Sequence, residues 1–145
     1  MSKRKTCQLF LAFTLLLSSC GSPVRMPEDR FAQADEVWDR AAGLMVSEPD
    51  SAFALLRDAR AACQDGTVAL YFDVLKAKCH YLAVQDDSCK IVTAAVSDWF
   101  SSQKAPEPDA CYVQGVSLNV RGVCLQVENN LEEAEDCFEA AVSCL

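Results

Sequence analysis

Apolar residues recur at intervals of three and four through most of the chain after residue 27. The first stripe consists of Phe31, Ala34, Trp38, Ala41 and Met45. This spacing places its members on one face of an α-helix. Stripes with the same period follow in the segments 52–63, 68–82, 89–99, 118–125 and 134–141. No segment alternates apolar and polar residues as a half-buried strand does. The pattern therefore predicts an all-α protein.

Clusters of turn-forming and capping residues separate these stripes into six helices. They fill the segments 47–50, 65–67, 86–88, 101–108 and 129–130, where they end one helix or open the next. The second helix of each pair then opens near Ser51, Asp87 and Leu131, at intervals of 36 and 44 residues. Helix pairs that repeat in this way predict three antiparallel pairs stacked as a short solenoid. A general antiparallel helix bundle is the alternative.

The last predicted helix pair carries a characteristic order of large and small residues. Read along the chain, these residues are Leu118, Gly122, Leu125, Ala134, Phe138 and Ala141. Their order resembles the signature of the tetratricopeptide repeat (TPR), although Arg121 stands where that family usually has leucine. The resemblance implies a TPR-like solenoid.

Two glycines lie on the apolar stripe of the predicted fifth helix, at Gly115 and Gly122. Glycine inside a helix costs about 1 kcal/mol relative to alanine. The two positions therefore predict that another helix backbone approaches them closely.

The first twenty residues have the form of a signal peptide. A basic opening from Lys3 to Lys5 precedes an apolar run from Leu9 to Leu17, which is too short to span a membrane. The run ends in Leu17-Ser18-Ser19-Cys20, which resembles a bacterial lipobox. The resemblance implies cleavage before Cys20 and acylation of that residue, and several acyl chains anchor a protein stably in a membrane. An ordinary secreted protein is the alternative.

The motif EPDSAFALL, residues 48–56, adds a narrower resemblance. Behind a lipobox, it is similar to TPR lipoproteins and to the N-terminal extracytoplasmic repeat regions of regulators from Bacteroidetes. This resemblance implies a place in a bacterial cell envelope, with the periplasmic or exterior face of the outer membrane as the expected site. The expected organisation is a signal peptide at 1–19, a lipidated tether at 20–27 and a TPR-like helical repeat domain at 28–145.

The charge balance narrows the range of partners. The chain has 13 basic and 21 acidic residues, a formal net charge of −8. The predicted signal peptide holds basic residues and no acidic ones, so its removal leaves a still more acidic domain. Nucleic acid and anionic lipid headgroups repel such a surface. The expected partner is therefore a protein or peptide, and the membrane is reached only through the lipid on Cys20.

Nine cysteines and a single histidine make metal or redox chemistry a candidate. The seven cysteines after Cys20 show no CxxC spacing, and His80 has no second histidine to accompany it. No metal site and no cofactor is therefore predicted. Most of these cysteines lie on apolar stripes, where a free thiol packs as a small hydrophobe. Disulfides are the alternative in an oxidising compartment, where antiparallel helices would bring Cys79 level with Cys89 and Cys124 level with Cys137.

No nucleophile elbow and no glycine-rich phosphate loop occurs, so the sequence predicts a non-catalytic protein. In TPR arrays the first helix of each pair lines a groove. The corresponding face of the predicted fifth helix carries Tyr112, Val116, Asn119, Val123 and Gln126. This face is expected to bind an extended peptide through apolar contacts and amide hydrogen bonds. Val123 stands where a carboxylate-binding clamp of the family requires asparagine, so a C-terminal carboxylate is not the expected ligand.

Two alternatives remain open, one for this face of the fifth helix and one for the protein as a whole. The same apolar face could pack against a further helix. The protein could also be the extracytoplasmic sensing input of a truncated signalling protein, in place of a lipid-anchored interaction scaffold.

The lipobox leads to a direct prediction. When the protein is expressed in a bacterium that processes lipoproteins, it should incorporate labelled fatty acid and partition into detergent. Cys20→Ser should abolish both, because it removes the thiol that is acylated. Unchanged labelling of Cys20→Ser would show that this residue is not the anchor.

Overall fold

A computed structural model describes residues 27–84 and 87–145 of the chain. Within these ranges the protein forms six α-helices and no strand, which confirms the predicted all-α class. The helices are α1 (Pro27–Leu44), α2 (Pro49–Ala62), α3 (Gly66–Val84), α4 (Ser88–Ser101), α5 (Pro108–Val127) and α6 (Leu131–Cys144).

The helix ends follow from local chemistry. Proline occupies the first positions of α2 and α5, where its missing N–H costs no hydrogen bond. Asp65 precedes α3 and its side chain accepts hydrogen bonds from the backbone N–H groups of Thr67 and Val68 at 3.0 and 3.1 Å. After α5, Asn129 takes a positive φ of 62°, and the N–H of Asn130 donates to the carbonyl of Leu125 at 2.9 Å. Asparagine tolerates this left-handed conformation, which ends the helix sharply.

Each helix packs against the next one along the chain, and the odd-numbered helices also pack against one another. The helix α3 contacts both α1 and α5, and α1 reaches α5 directly. Among the six described helices, the even-numbered ones make no close backbone contact with each other. The odd-numbered helices therefore share a common interface.

The hydrophobic core is built by α1 to α5. Its largest fully buried side chains include Phe31, Leu56, Val74, Val96 and Val113, one from each of these five helices. Among the six described helices, α6 packs on α5 alone, and it buries two alanines. The last helix is thus a peripheral addition to a five-helix core.

The two glycines of α5 mark the surface on which α6 packs. A Cβ atom added to Gly122 would lie 2.6 Å from the ring of Phe138, and one added to Gly115 would lie 2.7 Å from the side chain of Leu145. The expectation of a close approach at both glycines is confirmed, but the approaching groups are mainly side chains. Phe138 on α6, and Leu145 just beyond that helix, occupy the space that a Cβ would fill, where α5 and α6 make the most extensive backbone contact of any two described helices.

This packing predicts that Gly122→Leu destabilises the protein, by about 1–3 kcal/mol as is typical for overpacking. The new side chain would have to displace the Phe138 ring. Gly43→Leu is the matched control, because no atom lies within 4 Å of a Cβ at Gly43; there the helix preference of leucine should leave stability unchanged or slightly raised. Urea unfolding followed by circular dichroism measures both. Equal midpoints for the two variants would contradict the close contact at Gly122.

Candidate interaction surface

Three aromatic rings join the odd-numbered helices. The ring of Phe31 on α1 lies 4.9 Å from that of Tyr71 on α3 and 4.9 Å from that of Tyr112 on α5, measured between centroids. The two tyrosine rings are 5.7 Å apart. Phe31 is completely buried between them. Aromatic pairs at such distances contribute about 0.5–1.5 kcal/mol each beyond their buried area, so this cluster holds α1, α3 and α5 together.

Polar groups of α1 extend the same interface. The hydroxyl of Tyr71 donates a hydrogen bond to Asp35 Oδ1 at 2.6 Å. Burial raises the pKa of Tyr71 above its ordinary value, and the hydrogen bond to Asp35 raises it further. Tyr71 therefore stays protonated and remains a hydrogen-bond donor.

A cation lies over an indole ring beside this cluster. The Nζ atom of Lys78 is 4.4 Å from the ring centroid of Trp38, which is within the range of a cation–π interaction. Burial lowers the pKa of Lys78, while the charge of Asp35 opposes that shift. Sequence periodicity assigned Trp38 to core packing, and it does pack against the core. The pattern did not reveal Lys78, although it lies seven residues after Tyr71 and so on the same helix face.

The five residues predicted for the binding face of α5 have different environments. Tyr112 and Val116 are half-buried and pack against the core, and Val123 is also half-buried. Asn119 and Gln126 are exposed. Part of the predicted apolar surface is therefore covered by α1 and α3, whereas both amides face solvent.

One end of the interface carries a three-residue ion cluster. The guanidinium of Arg30 donates to Asp65 Oδ2 at 2.6 Å through one nitrogen and to Asp109 through another. The hydrogen bond from Arg30 holds the pKa of Asp65 below its usual value, with help from the backbone N–H of Val68. The hydrogen bonds to Asp109 and Asp65 raise the pKa of Arg30. A single arginine thus connects α1 to the starts of α3 and α5.

The opposite side of α3 forms a crevice between α2 and α4. The His80 ring stacks on Phe53 with 4.2 Å between centroids and an interplanar angle of 11°. Nearby, Asp73 accepts from Arg60 at 3.0 Å and lies 3.5 Å from Lys76. Lys76, which lines the same crevices as His80, is thus partly neutralised, and the histidine ring packs on Phe53.

All seven cysteines of the described ranges are free thiols in this structure. Cys79, Cys89 and Cys124 are buried, and the other four are half-buried. The predicted pairs Cys79–Cys89 and Cys124–Cys137 are not joined here and stay predictions. On the neighbouring helix α5, the carbonyl oxygen of Val120, one turn before Cys124, lies 4.0 Å from the Sγ atom of Cys89.

Three further features concern metal ions, the membrane and the lipid anchor. No group of three or more histidine, cysteine or acidic side chains in the described residues has a metal-binding arrangement. None of the described helices is long and apolar enough to cross a membrane. The lipidation residue Cys20 lies outside the described residues.

No protein-family model, curated protein or solved structure matches this chain.

The ion cluster predicts a pH-dependent effect of Arg30→Gln. Because the folded-state pKa of Asp65 is lowered, its pairing with Arg30 stabilises the fold above the unfolded pKa and is lost as pH falls through the folded value. The substitution should cost about 1 kcal/mol at pH 7, a figure kept low because solvent screens these part-exposed groups. At pH 3 it should cost less.

Arg57→Gln is the matched control for this measurement, because Arg57 pairs with its sequence neighbour Asp58 and both side chains are 69% exposed. Urea unfolding of both variants and of wild type at the two pH values gives the comparison. An Arg30→Gln effect that is equal at pH 7 and pH 3 would contradict an ionic role for the cluster.

Proposed function

We propose that the protein is a lipid-anchored, non-catalytic scaffold that binds a protein or peptide segment on the shared face of α1, α3 and α5. The observation that carries this proposal is the side-by-side packing of these three helices. Side chains from three separate segments are thereby combined into one surface. A surface of this kind can contact several residues of an extended ligand at once, as helical-repeat proteins do.

The register of the three helices supports a continuous surface. The ion cluster joins Arg30, Asp65 and Asp109, which lie at or near the beginnings of α1, α3 and α5, so these helices run in parallel. Phe31, Tyr71 and Tyr112 form one level across them.

Seven residues further along each helix is two turns on the same face. Those positions hold Trp38, Lys78 and Asn119. The cation–π contact between Trp38 and Lys78 is consistent with this second level.

The second level offers the chemistry that peptide binding needs. Asn119 is exposed, and its amide can both donate to and accept from a peptide backbone. Trp38 and Lys78 are half-buried, so ligand contact with them requires little ordering of flexible side chains. Gln126, two turns beyond Asn119, provides a second exposed amide. We infer an extended segment that meets apolar surface and amides, without a requirement for a terminal carboxylate.

We further propose that the helices form a TPR-like stack of three pairs. Two observations support this. Equivalent aromatic positions, Phe31, Tyr71 and Tyr112, are spaced 40 and 41 residues apart, which lies within the range of helix-pair repeats. In the last pair, the small residue Gly122 receives the ring of Phe138, as the resemblance of these positions to the repeat signature implies.

Binding by this face predicts that the double variant Asn119→Ala with Val123→Glu loses its partner. The variant removes an exposed amide and places a charge beside it. Full-length protein carrying an affinity tag would be used to capture partners from a membrane extract, and melting temperature would be measured in parallel. Ile91→Glu on α4 is the matched control, because Ile91 is 70% exposed on an even-numbered helix.

Loss of a partner from the double variant, with its melting temperature unchanged and with Ile91→Glu still binding, is the expected result. Equal retention by all three proteins would rule out this surface. Aggregation of the wild type that the double variant relieves would instead indicate that the face packs against another helix.

A further inference from the structure

Two buried cysteines meet where α4 packs on α5. Cys89 on α4 is 0% exposed and Cys124 on α5 is 1% exposed. The Sγ atom of Cys89 lies 4.0 Å from the carbonyl oxygen of Val120. That carbonyl belongs to the turn of α5 that ends at Cys124, so the two thiols lie at the same contact between α4 and α5. The contact therefore lies between two successive helix pairs.

We propose that Cys89 and Cys124 are a disulfide site, closed when the chain folds in the presence of a thiol–disulfide oxidant. Both S–H bonds break and one Sγ–Sγ bond forms. The two electrons and two protons reduce the disulfide of the oxidant, such as oxidised glutathione, to two thiols. This inference does not depend on the proposed binding function.

The surroundings of the pair favour a bond between these two sulfurs. The hydroxyl of Tyr81 donates to the carbonyl of Cys124 at 3.0 Å, which fixes the position of this turn of α5 against α3. On α4, the hydroxyl of Thr93 donates to the carbonyl of Cys89 at 2.8 Å. Tyr81 thus holds the turn of α5 that carries Cys124 by a contact independent of the sulfurs.

The burial of the pair decides when the bond forms. Burial raises the pKa of both thiols, and the thiolate is the form that attacks a disulfide. Oxidation of the fully folded protein is therefore slow, and the bond forms as α4 closes onto α5. Once formed, it is shielded from reducing thiols. It links the helices on either side of the segment 102–107 and restricts the unfolded chain.

The experiment refolds the reduced full-length chain from urea in a buffer of reduced and oxidised glutathione. Remaining thiols are then blocked with N-ethylmaleimide at acid pH. Digestion with trypsin and with an endopeptidase that cleaves after Glu and Asp places each of the four cysteines to be compared in a different peptide. Cys89 then lies in the peptide 88–90 and Cys124 in the peptide 122–128, while Cys79 and Cys137 lie in 79–86 and 137–139. Mass spectrometry identifies which peptides are linked.

The expected product is peptide 88–90 joined to peptide 122–128, with a mass two hydrogens below their sum. Wild type refolded in a reducing agent, in which the bond cannot form, should melt about 10 °C lower than wild type refolded in the glutathione buffer. Cys63→Ser, a half-buried thiol at another site, is the control and should behave like wild type. Cys89→Ser should show neither the link nor the response to reduction.

Two results would overturn the proposal. One is recovery of Cys89 and Cys124 in blocked form from refolded wild type whose circular dichroism is helical. The other is linkage of either sulfur elsewhere, as in a product joining 79–86 to 88–90 or 122–128 to 137–139.

Discussion

Phe31 packs between Tyr71 and Tyr112, and the arrangement of the other helices depends on this contact among three rings. It connects helices that are separated by 40 and 41 residues in sequence. The adjacent residue Arg30 forms ion pairs with the carboxylates at the starts of α3 and α5. The aromatic contacts stabilise the packing of the three helices, and the ion pairs align the helix ends. Together they fix the register in which the three helices run side by side.

This register determines which residues share a surface. Once the rings are level, Trp38, Lys78 and Asn119 lie two turns further along their helices, and the ammonium of Lys78 lies over the Trp38 ring. The even-numbered helices have no comparable contact with each other, and crevices remain on their side, one of them with His80 stacked on Phe53. The two sides of the domain therefore differ physically. On one side, aromatic contacts hold the three odd-numbered helices together. On the other side, crevices lie between α3 and its neighbours α2 and α4.

The helix α6 has a different relation to the fold. Of the other described helices it contacts only α5, and its closest packing uses the space left by Gly115 and Gly122. Its buried residues are Ala134 and Ala141, and Glu132 and Glu133 lie in its first turn, where the positive end of the helix dipole stabilises acidic side chains. Regions with few buried contacts open at lower free energy than the core. The attachment of α6 to the rest of the described helices therefore depends on its contact with α5.

The sequence by itself determined the all-α class and the positions of the six helices. These features depend on interactions within a few residues: apolar spacing, proline at the first turns of α2 and α5, and the left-handed Asn129 after α5. It also indicated the face of α5 that carries the exposed amides Asn119 and Gln126. Periodicity could not show that Tyr112 on that same face packs against Phe31, that Lys78 covers Trp38, or that Cys89 packs against the turn of α5 that ends at Cys124. Those contacts join residues far apart in sequence, and only the packing register of whole helices, set by the tertiary structure, decides which of them meet.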